Sequence, residues 1–156
     1  MSIHRIVSVL AVNGILLLLV PCSGAQDTAK GQLANAKSIK CSFALMATGT
    51  WGDQPKAEIK PARLVLEFET VNTDEGTAQL KSGVGAYDIT VRYAEGYLHF
   101  IQSFLSGPLY TTTILEKKTP GGKFKAMHSR HEYTDFALPG FTSSPEQYYG
   151  ECEVVN

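Results

Sequence analysis

The chain has no excess of one charge, no closely spaced cysteines and only one long apolar run, and each lack removes a class of protein. Fourteen basic side chains stand against fifteen acidic ones, scattered among each other. The electrostatic footprint of a nucleic-acid binder or of a protein held on anionic lipid is therefore missing. The absence of Cys-x-x-Cys removes the usual redox motif, and too few cysteines are present to offer a set of zinc ligands. There is no Gly-x-Ser-x-Gly elbow, and no helical period of useful length follows residue 38. What is present is a folded-domain composition: 156 residues, 44% apolar and 19% charged, which suits one domain.

The apolar run lies at the N-terminus. Met1 to Arg5 leads into the mostly apolar stretch from Ile6 to Val20, the layout of an export signal with its charged and hydrophobic regions. Ser8 and Asn13-Gly14 interrupt the stretch, which is shorter than the roughly 20 apolar residues of a membrane-spanning helix. Ser23 and Ala25 suit the small-residue positions of a leader-peptidase site. Residues 1–25 are thus expected to be a signal peptide, with a mature chain starting at Gln26 in the periplasm or outside the cell and carrying no transmembrane segment. The alternative is a lipoprotein anchored through Cys22, although Pro21 is a poor residue to precede the modified cysteine. Removal of residues 1–25 leaves Cys41 and Cys152, and an even pair in an oxidising compartment reads as one disulfide joining the ends of the fold.

Residues 26–37 hold almost no large apolar side chains and read as a loose arm, or at most one frayed helical turn, with no function of its own. Residues 38–156 read as a single β-domain. Stretches rich in Thr, Val, Ile, Tyr and Phe alternate with Gly, Pro, Asn and Asp, which predicts about eight short strands. They run Ile39 to Thr50, Arg63 to Val71, Thr77 to Lys81, Ala86 to Tyr93, Tyr97 to Phe104, Leu109 to Glu116, Lys123 to Thr134 and Glu151 to Val155. Ile39, Cys41, Phe43 and Leu45 share one face by period-two alternation, as do Tyr87, Ile89, Val91 and Tyr93. Hairpin-length connections make the strands an antiparallel meander, resolved as an up-and-down barrel or, alternatively, a sandwich. The barrel is preferred, because closure removes free edges and brings Cys41 to Cys152. One connection, Asp135 to Gly150, is long; its aromatics would plug one barrel mouth or form a ligand lid.

The densest polar cluster is His128-Ser129-Arg130-His131-Glu132. Residues three apart on a strand face opposite ways, so His128 and His131 cannot share a metal ion, and neither a metal nor a cofactor is expected. Arg130 and His128 continue the face of Phe124 and Ala126, which carries them into the barrel. A guanidinium there must be paired. They form either a structural network with a carboxylate or tyrosine hydroxyls, or the anion-binding floor of a ligand cavity completed by Tyr87 and Phe100. Ser129 faces away from His128, and Glu67 with Glu69 reads as a solvated row, so no catalytic residue is assigned and an enzyme is not expected.

Gly49-Thr50-Trp51 resembles the Gly-x-Trp of lipocalins, which implies a calycin-like barrel with a cavity. A larger part of the chain, from about Ile39 to Val154, resembles small uncharacterised β-proteins exported by bacteria. That resemblance is carried by Ile39-Lys40-Cys41, Trp51, Gly76-Thr77-Ala78, Leu98-x-Phe100, Thr111-Thr112-Thr113, His128-Ser129-Arg130-His131 and Pro145-x-Gln147-Tyr148-x-Gly150-x-Cys152. It implies export and the placing of the two cysteines, and no activity. The expectation is an exported barrel that binds a small or apolar ligand or an envelope component. A filled structural or interaction barrel is the alternative, and an envelope hydrolase comes third.

Overall fold

The computed structural model describes residues 31–51, 53–133 and 144–155. Eight antiparallel strands follow one another in chain order and close into a barrel. They are β1 (Ile39–Thr50), β2 (Lys56–Asn72), β3 (Thr77–Ser82), β4 (Gly85–Ala94), β5 (Tyr97–Ser103), β6 (Leu109–Lys118), β7 (Phe124–His131) and β8 (Glu146–Val154). The barrel is the expected resolution, and the sandwich is excluded. No helix among the described residues is long and apolar enough to cross a membrane. The expected signal segment, including Cys22, lies outside the described residues.

Period-two alternation builds the interior. Phe124, Ala126 and His128 are buried on β7, while Ile89 and Val91 are buried on β4, and the residues between them point outward. Register shifts interrupt the pairing in β1, in β2 and between Ile114 and Lys118 of β6, and the first two bear on which side chains face inward. In β1 the pairing slips between Phe43 and Leu45, so Leu45 leaves the face of Ile39, Cys41 and Phe43 and stands 42% exposed, while Met46 packs on the core. The shared face expected for all four residues therefore ends at Phe43, because a one-residue slip reverses every later side chain. In β2, Thr70 adopts φ 50° and the pairing with β3 skips, which turns both Phe68 and Val71 inward.

β2 and β8 start well before the residues that the sequence pattern implied. β2 starts at Lys56 rather than Arg63, because Lys56 to Lys60 pair with Met46 to Thr50 as a hairpin arm without a buried face. β8 starts at Glu146 rather than Glu151, so the tail of the expected long connection is strand: Tyr148 points inward and Tyr149 outward. The proposed aromatic plug falls mainly on residues 134–143, outside the described residues.

β1 and β8 close the barrel. Cys41 pairs directly with Cys152 across that seam and the two form a disulfide, Cα–Cα 4.0 Å, both fully buried. The end of the barrel that holds the β2–β3, β4–β5 and β6–β7 turns is stoppered by a 3-10 turn, Gln32–Asn35. Leu33 is 0% exposed and joins the core with Val71, Val91, Leu98 and Ile114. Glu116 fixes it: one carboxylate oxygen accepts from the Leu33 backbone N–H at 2.9 Å, the other from the Tyr93 hydroxyl at 2.9 Å. Thr73 Oγ1 donates to the Ala34 carbonyl at 2.8 Å. The segment expected to be a loose arm is thus docked from residue 31 onward. A lone leucine gives no periodic signal, yet one side chain is enough to fill a barrel end.

Candidate functional site

The registers of β5 to β8 set the interior in rows. One row reads Gln102, Tyr110, Arg130 and Glu146, and the next, nearer the stoppered end, reads Phe100, Thr112, His128 and Tyr148. Below these, Phe68 stacks on Phe100 with ring centroids 3.8 Å apart. That stack closes the floor: the void beside it is only about 10 Å³, too small to serve as a ligand site. Above it the barrel opens into a cavity of about 470 Å³.

The cavity lining is of two chemical kinds. Leu66, Leu80, Tyr87, Phe104 and Pro108 supply apolar surface, whereas Gln102, Tyr110, His128, Arg130 and Glu132 supply polar groups. Arg130 is the centre of the polar groups. Its guanidinium lies 5.4 Å from the ring centroids of both Tyr110 and Tyr148, which places it between two π-faces. Arg130 Nε donates to His128 Nε2 at 3.4 Å, and Arg130 Nη1 stands 3.8 Å from Glu146 Oε2. Tyr148 donates its hydroxyl to that same Glu146 oxygen, and Tyr110 donates to Glu132.

The histidine's protonation follows from its neighbours. Since Nε2 accepts from Arg130, the ring proton belongs on Nδ1, which donates to Thr112 Oγ1 at 2.8 Å. His128 is 5% exposed. Burial first, and the adjacent Arg130 charge second, push its pKa down to about 4. The Tyr110 and Tyr148 phenols are pushed up to about 12, chiefly by burial and then by the hydrogen bonds to Glu132 and Glu146. At neutral pH this cluster therefore carries neutral phenols, a neutral imidazole and a charged guanidinium.

This arrangement makes stability depend on pH with a definite sign. Between pH 6.5 and about 4 the unfolded chain binds a proton at residue 128 that the folded chain refuses. Stability is whole above pH 6.5, falls as pH drops through that window by about 3 kcal/mol, and levels off below it. Urea unfolding at pH 7 and pH 4.5 is expected to show that loss in the wild type and a smaller one in His128→Gln. Parallel pH dependence in the two proteins would refute the burial of a neutral histidine.

Of the four residues expected at a ligand site, His128, Arg130 and Tyr87 line the cavity, while Phe100 lies beneath it in the packed floor. Sequence reasoning missed Tyr110, Glu132, Gln102 and Glu146. Gln102 carried a readable signal: it is a polar residue in phase with the inward Leu98 and Phe100. His131 is exposed on the opposite side from His128, and His99 is bonded to Thr113 Oγ1 at 3.0 Å. Among the described residues no group of three His, Cys, Asp or Glu side chains could hold a metal ion. Glu67 and Glu69 lie on the outer surface, paired with Lys40 at 2.8 Å and Lys81 at 3.2 Å respectively. Trp51 is 69% exposed and packs edge-on against Tyr133. Comparison with protein-family models, curated proteins and solved structures finds no match to the chain.

Proposed function

We propose that the chain is an exported, non-enzymatic β-barrel that holds one small ligand in its open half. The observation that carries this reading is the cavity of about 470 Å³, whose lining combines a guanidinium with apolar side chains. Its volume lies in the range of small-molecule sites, and a few polar groups set against apolar walls are what such sites use to orient a guest. Export is supported by the buried Cys41–Cys152 disulfide, which an oxidising compartment maintains, and by the charged and then apolar pattern of residues 1–20. The periplasm and the extracellular space suit it equally. In this reading the chain belongs with the small exported bacterial proteins that its His128-Ser129-Arg130-His131 and Tyr148-x-Gly150-x-Cys152 features resemble.

A filled barrel with a structural or interaction role is favoured by the stoppered half, where Leu33 and the Phe68–Phe100 stack leave no room. Solvent extraction of the purified protein followed by mass spectrometry separates the two. A ligand carrier yields a small molecule in stoichiometric amount from wild type and little from Arg130→Met. A filled barrel yields none from either, while Arg130→Met still costs about 1–3 kcal/mol by leaving Glu146 and the two tyrosines without their cation.

A further inference from the structure

The cavity's shape and charge together specify a class of guest. Depth comes first. The barrel is hollow only above Phe68 and Phe100, and the void at that floor is about 10 Å³. An acyl chain therefore finds no channel leading down the barrel, and the space favours a compact, ring-sized body. The apolar side chains open to such a body are Leu66, Leu80 and Phe104.

Charge comes second. Among the described residues the cavity lining holds one cation, Arg130, and one carboxylate, Glu132; a second carboxylate, Glu146, stands beside Arg130 just outside the lining, and His128 is kept neutral by burial and by the Arg130 charge. An anionic guest reaching Arg130 would approach both carboxylates in a half-buried space where such repulsion is poorly screened. The carboxylates are themselves engaged, Glu132 by the Tyr110 hydroxyl and Glu146 by the Tyr148 hydroxyl. Arg130 differs. Its Nε is bonded to His128, but its Nη1 is still 3.8 Å from the Glu146 oxygen, beyond hydrogen-bond reach. Donor capacity at the guanidinium thus remains for a guest.

We propose that the ligand is a compact, uncharged, ring-containing molecule whose carbonyl-type oxygen accepts from the Nη donors of Arg130 while its ring packs on Leu66, Leu80 and Phe104. The proposal rests on the ligand-binding reading above and adds the class of guest. A neutral acceptor takes the guanidinium fork without bringing a second negative charge, and it does not have to displace the tyrosine hydroxyls from the carboxylates.

Three probes with one ring system and different heads test it: 2-acetylnaphthalene, 2-naphthoate and 2-naphthylmethylammonium, titrated calorimetrically into the disulfide-bonded protein at pH 7.5. The ketone is expected to bind at least tenfold tighter than either ion. Arg130→Met and Arg130→Lys should each weaken the ketone about tenfold, the lysine variant keeping the charge but losing the fork. Glu146→Gln should strengthen naphthoate severalfold by removing one repelling carboxylate. Tighter binding of naphthoate or of the ammonium probe, or equal binding of all three, overturns the neutral class and leaves the ligand-binding reading standing. Binding of none, by protein whose thermal melt shows it folded, overturns both.

Discussion

Gly150→Ala is expected to destabilise the folded chain by about 3 kcal/mol or more, the upper range for overpacking a filled site. Gly150 lies on β8 opposite Phe43 of β1 and Ala126 of β7. A Cβ at this position would sit 2.0 Å from the Ser42 carbonyl oxygen, 2.7 Å from Phe43 Cα and 2.9 Å from Phe43 Cδ1. Two of those atoms are backbone. A rotamer change cannot relieve the clash, and the β1–β8 seam itself must part. Gly83→Ala is the control, because nothing lies within 4 Å of its Cβ, and it should stay within about 0.5 kcal/mol of wild type. Chemical unfolding of the two variants measures the contrast. A Gly150→Ala protein as stable as Gly83→Ala would show that the seam is not closed as tightly as this register requires.

Reduction of the disulfide acts on the same seam from the side of the unfolded chain. Cys41 and Cys152 are 111 residues apart in sequence and directly opposed in the sheet. Releasing a loop of that length should lower stability by about 3–5 kcal/mol, with a fall in Tm of roughly 15 °C. The barrel should survive reduction, since β1 and β8 remain joined along the ladder from Ile39 to Thr48. Urea unfolding of wild type and of the Cys41→Ala, Cys152→Ala double variant should therefore give two cooperative transitions, the variant's at a lower midpoint. Coincident midpoints would mean that the bridge is unformed in the purified protein.

Much of the barrel was legible because its interior obeys period two. Tyr87, Ile89, Val91 and Tyr93, and likewise Phe124, Ala126, His128 and Arg130, announce their faces without help from any neighbour. The same rule failed at Leu45, where a bulge inserts one residue and reverses the phase. Bulges answer to the pairing of two strands, and no single strand's sequence encodes them. The start of β8 was hidden for a related reason: Gln147-Tyr148-Tyr149-Gly150 has no apolar alternation, and its glycine reads as a loop until Phe43 is seen against it.

The candidate site was half legible. Alternation alone carried His128 and Arg130 inside. Their partners come from β6 and β8, and they converge only because Tyr110 and Glu146 both fall opposite Arg130 while Thr112 and Tyr148 fall opposite His128. Register across three strands depends on turn lengths and bulges together, so no single strand's sequence shows which side chains meet. Arg130 is held by tyrosines and Glu146 on one side and lines the open space on the other.

A barrel hollow at one end and filled at the other makes its most direct forecast in methyl NMR spectra recorded during titration with 2-acetylnaphthalene. Leu66 and Leu80 line the cavity, whereas Leu33, Leu98 and Ile114 are fully buried toward the stoppered end and Leu45, Ile59 and Val65 are exposed outside. Saturable shifts are expected at Leu66 and Leu80, with the buried and the outer methyl groups nearly still. Shifts confined to Leu45, Ile59 and Val65, or an unchanged spectrum at saturating probe, would contradict a ligand site inside the barrel.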